Sequence, residues 1–248
     1  YLRPEPGYSP NTYSYMDTVK SWSGVESNDA STGMAWDAYN EVFLIRNGDG
    51  KHREYSADFE FIREYQGPDH YNGFDDHAFT LNESGTTIYF INPGAGRIGK
   101  GDRYSDNFST LVSEGPNGAA IRDGDDLTRV GDVVYYYARY VQKLFVSGWG
   151  AFDAGTPDWS EVASGVIGGG AGAINWDGAY LHVTRVNGNG SEAYNVETGA
   201  KVYSASTGYV PEAVAYKGGL LYVYEHSGGT VDAKWSGEGP DTIAVKAI

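Results

Sequence analysis

The sequence predicts an all-β fold, a single five-bladed β-propeller of four-stranded antiparallel blades with an extended N-terminal arm. Three observations lead to this prediction. The 248 residues include 35 Gly and 21 Tyr but only 2 Met, a composition typical of short strands joined by tight turns. A strand–turn–strand pattern recurs five times along the chain. Its period is nearly constant, which a β-sandwich does not require.

The period is measured on the most hydrophobic strand of each repeat. The five anchor residues are separated by 46, 46, 46 and 41 residues, and they are Val42, Ile88, Val134, Tyr180 and Leu221. A turn precedes each anchor strand, and a short apolar strand precedes each turn. These first strands read GMAWDA, HAFTL, DLTRV, GAINW and EAVAY. Each repeat therefore begins with a β-hairpin.

The second half of each repeat supplies two further strands. REYSADFEFI, DRYSDNFSTL and GTPDWSEV share a Ser or Thr, an Asp and then an aromatic residue; the fourth repeat has EAYNVETGAKVY, and the fifth has TVDAKWSG and DTIAVKAI. Four short strands in about 45 residues are typical of a propeller blade. The predicted blades are residues 29–66, 67–116, 117–165, 166–206 and 207–248.

Residues 1–28 precede the repeats and form the predicted arm. The first part, YLRPEPGYSPN, has three prolines and is expected to be extended. The next part, TYSYMDTVKSW, is predicted to be a strand that closes the ring against the last blade. Packing of this arm on a second copy or on another assembly partner is the alternative. A first residue of Tyr rather than Met favours a processed, exported chain, so we expect an extracellular location or a virion or cell surface.

Charge and composition restrict the partners. Asp and Glu outnumber Lys and Arg by 33 to 18, a net charge of −15 that repels nucleic acid and anionic membranes. The chain has no Cys, no membrane-length apolar run, no phosphate-binding loop and no G-x-S-x-G motif. Its five His show no zinc-protease spacing. We therefore predict a partner that is neither nucleic acid nor a membrane.

Charged residues recur where the inner strands begin. Alignment of the repeats on their turns gives one equivalent position in each blade, occupied by Ser31, His77, Asp125, Ala171 and Glu212. Asp76 and Asp126 lie beside that position. Titratable groups clustered in a low-dielectric channel have pKa values shifted apart, as acid–base catalysis requires. The alternative is that these carboxylates cap strand ends, bind a structural cation or face solvent.

Part of the repeat resembles a known family. The segment IRDGDDLTRVGDVVYYYARY followed by GTPDWSEV resembles a blade of the five-bladed glycoside hydrolases of the arabinanase, xylosidase and fructosidase type. YSADFEFI and RYSDNFSTL fit the end of the same motif, and PEAVAYKGGLLYVYEHS is similar to the segment that carries that family's general acid. The resemblance extends from about Thr32 to Ser227.

The resemblance implies a carbohydrate partner and specific catalytic roles. Glu212 would be the general acid, and Asp76 with Asp125 or Asp126 would be the base and the orienting carboxylate. The family takes its three carboxylates from consecutive early blades, whereas Glu212 lies in the last repeat. The residues predicted to bind substrate around these carboxylates are His77, Arg122, Tyr137 and Trp176.

Two other functions remain open from the sequence. Aromatic residues such as Tyr137 and Trp176 are suited to stacking on sugar rings, which favours a non-catalytic, lectin-like propeller; inter-blade packing is the alternative role for these rings. The third interpretation is a structural subunit of a surface layer, virion or fibre that is anchored by its N-terminal arm. No cofactor is predicted. The Gly-rich turns RNGDGKHRE and RDGDD suit Ca²⁺, with a plain hairpin turn as the alternative.

Overall fold

A computed structural model describes residues 15–25, 33–46, 51–66, 78–122, 125–166, 172–185, 190–207, 211–225 and 229–236. Within these ranges the chain forms five separate four-stranded antiparallel sheets, one short α-helix and two 3₁₀ turns, Pro93–Ala95 and Pro116–Gly118. The sheets are the blades of a β-propeller, which confirms the predicted fold class. Among these residues no helix is long and apolar enough to cross a membrane.

The strands follow the chain in this order. β1 (Thr18–Trp22) comes first. Blade 1 contains β2 (Gly33–Asp37), β3 (Val42–Arg46), β4 (Lys51–Tyr55) and β5 (Phe61–Gln66). Blade 2 contains β6 (Phe79–Leu81), β7 (Thr87–Asn92), β8 (Arg97–Asp102) and β9 (Phe108–Val112). Blade 3 contains β10 (Asp126–Val130), β11 (Val133–Ala138), β12 (Lys143–Gly148), the helix α1 (Trp149–Asp153) and β13 (Ser160–Ser164). Blade 4 contains β14 (Gly172–Trp176), β15 (Leu181–Arg185), β16 (Gly190–Tyr194) and β17 (Lys201–Ser206). Blade 5 contains β18 (Pro211–Lys217), β19 (Leu220–Glu225), β20 (Thr230–Trp235) and, as its fourth strand, β1.

The inner strands of the five blades surround a central channel. Each of β2, β6, β10, β14 and β18 contacts the inner strand of the next blade, and β18 contacts β2. All five begin on one side of the ring, called the loop side below, and end in hairpin turns on the other, called the turn side. The two-residue turn Gly218–Gly219 between β18 and β19 has positive φ angles of 59° and 89°, which glycine adopts without steric cost.

Each blade interface has its own hydrophobic core. In β3, Phe43 and Ile45 pack toward blade 5, whereas the intervening Leu44 packs toward blade 2. Successive side chains of a strand point to opposite faces, so one strand fills two interfaces. All five residues of β3 are buried for this reason. The same arrangement explains why the second strand of each repeat is the hydrophobic anchor in the sequence.

The ring is closed by the N-terminal strand. β1 pairs antiparallel with β20, from Thr18 opposite Lys234 to Trp22 opposite Val231. The Ser21 hydroxyl donates to Asp232 at 2.5 Å. β1 thus occupies the outermost position of blade 5. The segment DTIAVKAI, residues 241–248, was also assigned to the fifth repeat from the sequence, and it lies outside the described residues. Residues from both ends of the chain form one blade, as the predicted closure by TYSYMDTVKSW required.

Tyr15, just before β1, anchors this closing segment to blade 4. The Tyr15 hydroxyl lies 2.7 Å from the Ser191 hydroxyl and 3.2 Å from His182 Nδ1, and its ring stacks on Tyr203. His182 Nε2 lies 2.6 Å from the carboxylate of Asp177. Burial raises the pKa of Tyr15 well above its ordinary value, so this hydroxyl remains a neutral hydrogen-bonding group.

Tyr15→Phe should lower the free energy of unfolding by about 1–3 kcal/mol, because Ser191 and His182 would keep buried polar atoms without this partner. Urea unfolding of the variant and of wild type measures the difference. Tyr39→Phe is the matched control, since Tyr39 is 72% exposed, and it should change stability by less than about 0.5 kcal/mol. Equal stability of Tyr15→Phe and wild type would show that ring closure does not depend on this anchor.

Candidate functional site in the central channel

The central channel contains a cavity of about 610 Å³. The inner strands of all five blades line it. Toward the turn side its wall carries aromatic and polar residues from all five blades, namely Trp36 and Asp37, Asn82 and Glu83, Arg129 and Asp132, Asn175 and Trp176, and Tyr216. The wall of the cavity is therefore rich in aromatic and polar residues, and it is not formed by small apolar residues alone.

A Trp-Asp pair sits where the inner strand ends in blades 1 and 4. In each, one carboxylate oxygen of the Asp, Asp37 or Asp177, accepts the backbone N–H groups two and three residues later, at 2.7–3.1 Å. An Asp with these bonds builds a local turn within its own segment. The turn holds the preceding residue, Trp36 or Trp176, at the mouth of the cavity.

Both tryptophan side chains are only partly buried, and each packs against a neighbouring aromatic ring. The Trp176 ring lies parallel to Tyr135, with 6.2 Å between ring centroids. Trp36 packs on Phe43 at 4.8 Å, and the Lys217 ammonium group lies 4.9 Å from the centre of the Trp36 ring. Each ring is thus pre-positioned, so a ligand stacking on it would lose little side-chain entropy to the protein.

Polar side chains tie the inner strands of neighbouring blades together. Asp126 Oδ2 accepts the N–H of Ile174 in blade 4 at 2.6 Å, and its Oδ1 accepts its neighbour's N–H, that of Leu127, at 2.7 Å. Thr80 in blade 2 accepts the N–H of Arg129 in blade 3 at 3.0 Å. These bonds satisfy backbone groups on the free edge of an inner strand. Burial raises the pKa of Asp126 well above its usual range.

Asp125 fastens the loop that precedes β10. Its Oδ2 accepts the Tyr136 hydroxyl at 2.6 Å and the Arg122 N–H at 2.9 Å, and its Oδ1 accepts the Arg139 N–H at 2.8 Å. Burial raises the pKa of Asp125, although these hydrogen bonds oppose the shift. The geometry is that of a carboxylate that caps a loop and a turn, which was the alternative role considered from the sequence.

The predicted site residues of blades 3 and 4 fall at opposite ends of the channel. Asp125, Asp126 and Arg122 lie together on the loop side, where the exposed Arg122 guanidinium stacks on Tyr140 at 4.8 Å. Trp176 is the last residue of β14, on the turn side. The ends of a five-residue strand are about 13 Å apart. Trp176 and Asp126 thus line the same cavity from opposite ends, whereas Asp125 is absent from its wall.

The remaining predicted residues are elsewhere. Tyr137 is fully buried in the core between blades 3 and 4, so its ring presents no surface for stacking on a ligand. Asp76 and His77 lie outside the described residues. Glu212 is described only by its backbone, at the second position of β18. The carboxylate set implied by the glycosidase resemblance therefore has just Asp125 and Asp126 with described side chains.

Several residues of the cavity wall were missed from the sequence: Trp36, Arg129, Asn175 and Tyr216. Each lies in one of the first strands recognised in the repeats, near its final turn, and that position was the available signal. No group of three or more His, Asp or Glu side chains in the described ranges could hold a metal ion. Of the two turns considered for Ca²⁺, residues 47–50 and 123–124 lie outside those ranges.

No family model matches the chain, and no curated protein matches it either. Several solved structures do match the chain. The chain is 10% identical to Myxococcus xanthus glutaminyl cyclase, with a TM-score of 0.59 over 88% of this chain and 94% of that one. It is 8% identical to the Cps50 (Swd1) β-propeller domain of Myceliophteria thermophila, with a TM-score of 0.55 over 88% and 99%.

A third structure, a nidogen/laminin complex, gives a TM-score of 0.56 at 16% identity over 78% of this chain and 71% of that one. At these identities the likeness concerns the fold alone. The three proteins named here have different functions, and none is a glycoside hydrolase by its description. They support the propeller fold, and the link to glycosidases is carried by the blade motif of the sequence.

Proposed function

We propose that the protein is a carbohydrate-binding propeller that takes a glycan at the turn side of its channel, without hydrolysing it. One observation carries this proposal: Trp36, Trp176 and Tyr216, from three different blades, line a single cavity beside Asn175. Sugar rings present C–H faces that pack on aromatic rings, while their hydroxyls need polar partners. A preformed chamber with a few convergent polar groups is the usual form of a small-ligand site.

The cavity has the size for one short glycan. Its volume of about 610 Å³ lies within the roughly 300–1,000 Å³ range of ligand pockets. The aromatic residues come from blades 1, 4 and 5, so the site is formed once around the channel axis. This differs from a lectin with a similar shallow site on every blade. We therefore expect one glycan per molecule.

Trp176→Leu tests the proposal. Leucine retains an apolar contact with Tyr135 but removes the ring, so glycan affinity should fall by about 30-fold, the equivalent of about 2 kcal/mol for a buried aromatic anchor. A glycan array selects the ligand, and calorimetry then gives the affinity and stoichiometry. Trp159→Leu is the matched control, because Trp159 packs on the core between blades 2 and 3 and is absent from the cavity wall.

Loss of affinity in Trp176→Leu with normal affinity in Trp159→Leu supports the channel site. Equal affinity of wild type and Trp176→Leu would place binding elsewhere. No binding to any glycan on the array would overturn the proposal. The assembly role of residues 1–28 would then be the next to test, by size-exclusion chromatography of the chain with and without residues 1–14, which precede the ring-closing strand.

A glycoside hydrolase is the second candidate, favoured by one observation: Asp126 lines the same cavity, and burial raises its pKa. A general acid must hold its proton near neutral pH. In this reading Glu212 and Asp76 complete the set that the sequence resemblance implies. Both candidates agree with an extracellular, virion-surface or cell-surface location, where glycans are accessible, and with a protein that needs no cofactor.

Turnover of chromogenic pentosides, hexosides and polysaccharides decides between the two. Wild type, Glu212→Gln and Asp126→Asn are assayed in parallel. Activity that Glu212→Gln abolishes would establish a hydrolase and identify its acid. Glycan binding without turnover would leave the binding propeller.

A further inference from the structure

The Arg129 guanidinium is the least satisfied charged group of the cavity wall. Only 14% of its side chain is exposed, yet it makes no side-chain hydrogen bond to a described residue, and its Nε is buried without a partner. The nearest carboxylate, that of Glu83, lies 3.8 Å from Nη2, beyond hydrogen-bond distance, and the Glu83 side chain is 91% exposed. Glu83 therefore forms only a weak ion pair with Arg129, and its carboxylate is mainly solvated.

A guanidinium in this state is stabilised when a hydrogen-bond acceptor binds it. Buried polar groups in proteins are nearly always hydrogen-bonded, and a buried charge left unpaired is costly. Arg103 shows how this chain stabilises a buried guanidinium: Nε and Nη1 donate to the Tyr65 hydroxyl, Asp37 and the Gly85 carbonyl, and Nη2 pairs with Glu54 at 3.0 Å without a hydrogen bond. Among the described residues Arg129 has no comparable set, although it lines the channel cavity.

Trp149 holds the Arg129 side chain in position. The guanidinium lies over the Trp149 ring, 4.6 Å from its centre. This cation–π contact fixes the planar group but leaves its N–H donors free. The backbone N–H of Arg129 is bound to Thr80 at 3.0 Å, which fixes the strand as well. The guanidinium is thus a preorganised donor group.

We propose that the channel site selects acidic glycans and that Arg129 receives the carboxylate of the sugar. The inference rests on the proposed glycan-binding function and names its ligand class. A guanidinium fork matches a carboxylate through two parallel hydrogen bonds. Trp36 and Trp176 would stack on the sugar rings, and the Lys217 ammonium group beside Trp36 adds a second positive charge.

The other charges near the site do not oppose this assignment strongly. Glu83 and Asp132 lie on the exposed rim, where water screens them and where Glu83 can give way to a ligand carboxylate. Asp126 begins the inner strand on the loop side, three residues before Arg129 in sequence. The chain's charge of −15 repels anions at long range, so recognition of an acidic sugar requires a local cation such as Arg129.

Matched pairs of acidic and neutral ligands test the inference by calorimetry. The pairs are 3′-sialyllactose and lactose, a glucuronic-acid-terminated and a glucose-terminated disaccharide, and oligogalacturonate and its methyl ester. We expect the acidic member of at least one pair to bind about 10- to 100-fold more tightly. Arg129→Gln should abolish that preference, and Arg129→Lys should retain part of it.

Arg97→Gln is the matched control, since Arg97 stacks on Phe108 and lies outside the cavity wall; its preference should equal that of wild type. Arg129→Lys keeps a charge over Trp149, so it remains informative if the Gln variant folds poorly. Equal affinity for both members of every pair overturns the inference. If only neutral glycans bind, the inference fails while the proposed function stands; if no array glycan binds, both fail.

Discussion

Arg103→Met should lower the free energy of unfolding by about 3–5 kcal/mol, the range for removing one partner of a buried ion pair. Arg103 is fully buried between blades 1 and 2. Its Nη1 donates to Asp37 and to the Gly85 carbonyl at 3.0 Å, its Nε donates to the Tyr65 hydroxyl at 2.6 Å, and its Nη2 lies 3.0 Å from Glu54.

Stability is lost because the carboxylate partners of Arg103 stay buried after the substitution. Burial acts to raise the pKa of Asp37, but hydrogen bonds from Asn40 and Arg103 outweigh it and hold that pKa below its ordinary value. Without Arg103 the buried carboxylate loses a cationic partner. Asp37 also builds the turn that positions Trp36, so Arg103→Met should weaken glycan binding together with stability.

Arg63→Met is the matched control. Arg63 also binds Glu54, at 2.7 and 3.0 Å, but its side chain is 53% exposed. Glu54 is buried but keeps Arg103 as a partner when Arg63 is replaced, so loss of this half-exposed pair should cost about 1 kcal/mol or less. Guanidinium chloride unfolding of both variants measures the contrast. A loss of less than about 1 kcal/mol in Arg103→Met would show that the buried network does not stabilise the contact between blades 1 and 2.

His52 should make the protein sensitive to acid. Its side chain is 1% exposed, and neither ring nitrogen has a hydrogen-bond partner among the described residues. It packs against Tyr65 and Phe79, at 5.8 and 6.1 Å between ring centroids. Burial, and then the positive charges of Arg46 and Arg103, lower the pKa of His52 well below 6.5.

The sign follows from proton binding. Below pH 6.5 the unfolded chain protonates His52, whereas the folded chain does not until the pH reaches its lower pKa. The stability present above pH 6.5 is therefore lost as the pH falls, at up to about 1.4 kcal/mol per pH unit, until the pH reaches the lower pKa of the folded state. His52→Phe keeps an aromatic ring at this position and should remove this loss.

Urea unfolding at pH 8.0, 6.5 and 5.0 compares His52→Phe with wild type. Asp125 and Asp126 have raised pKa values, and they contribute the opposite trend, a gain in stability as the pH falls. Both proteins share that contribution, so the difference between them isolates His52. If the two proteins show parallel pH dependence, His52 does not carry the acid sensitivity.

The blades were predictable because each is built from neighbouring residues. The hairpin of β10 and β11 spans 126–138, and its apolar pattern, its turn at Gly131 and its four-strand unit are all visible within one repeat. The Trp-Asp turns are equally local, since Asp37 and Asp177 bond to backbone groups two and three residues away.

The site was only partly predictable. The equivalent positions of the repeats placed Asp125 and Asp126 correctly at the start of an inner strand, but not the groups to which they bind. Trp176 was recognised as a candidate, whereas Trp36 and Arg129 were not. The channel wall is assembled from five blades, and a single repeat does not show which residues meet across its axis.

The sequence by itself determined an all-β chain of five repeated blades, because strand alternation, turn chemistry and a 46-residue period are properties of neighbouring residues. Tertiary structure alone decided the partners of the polar groups. Asp126 binds Ile174, 48 residues away, and Tyr15 binds Ser191, 176 residues away. Such contacts form only when blades pack and the ring closes, and they determine which side chains support the fold.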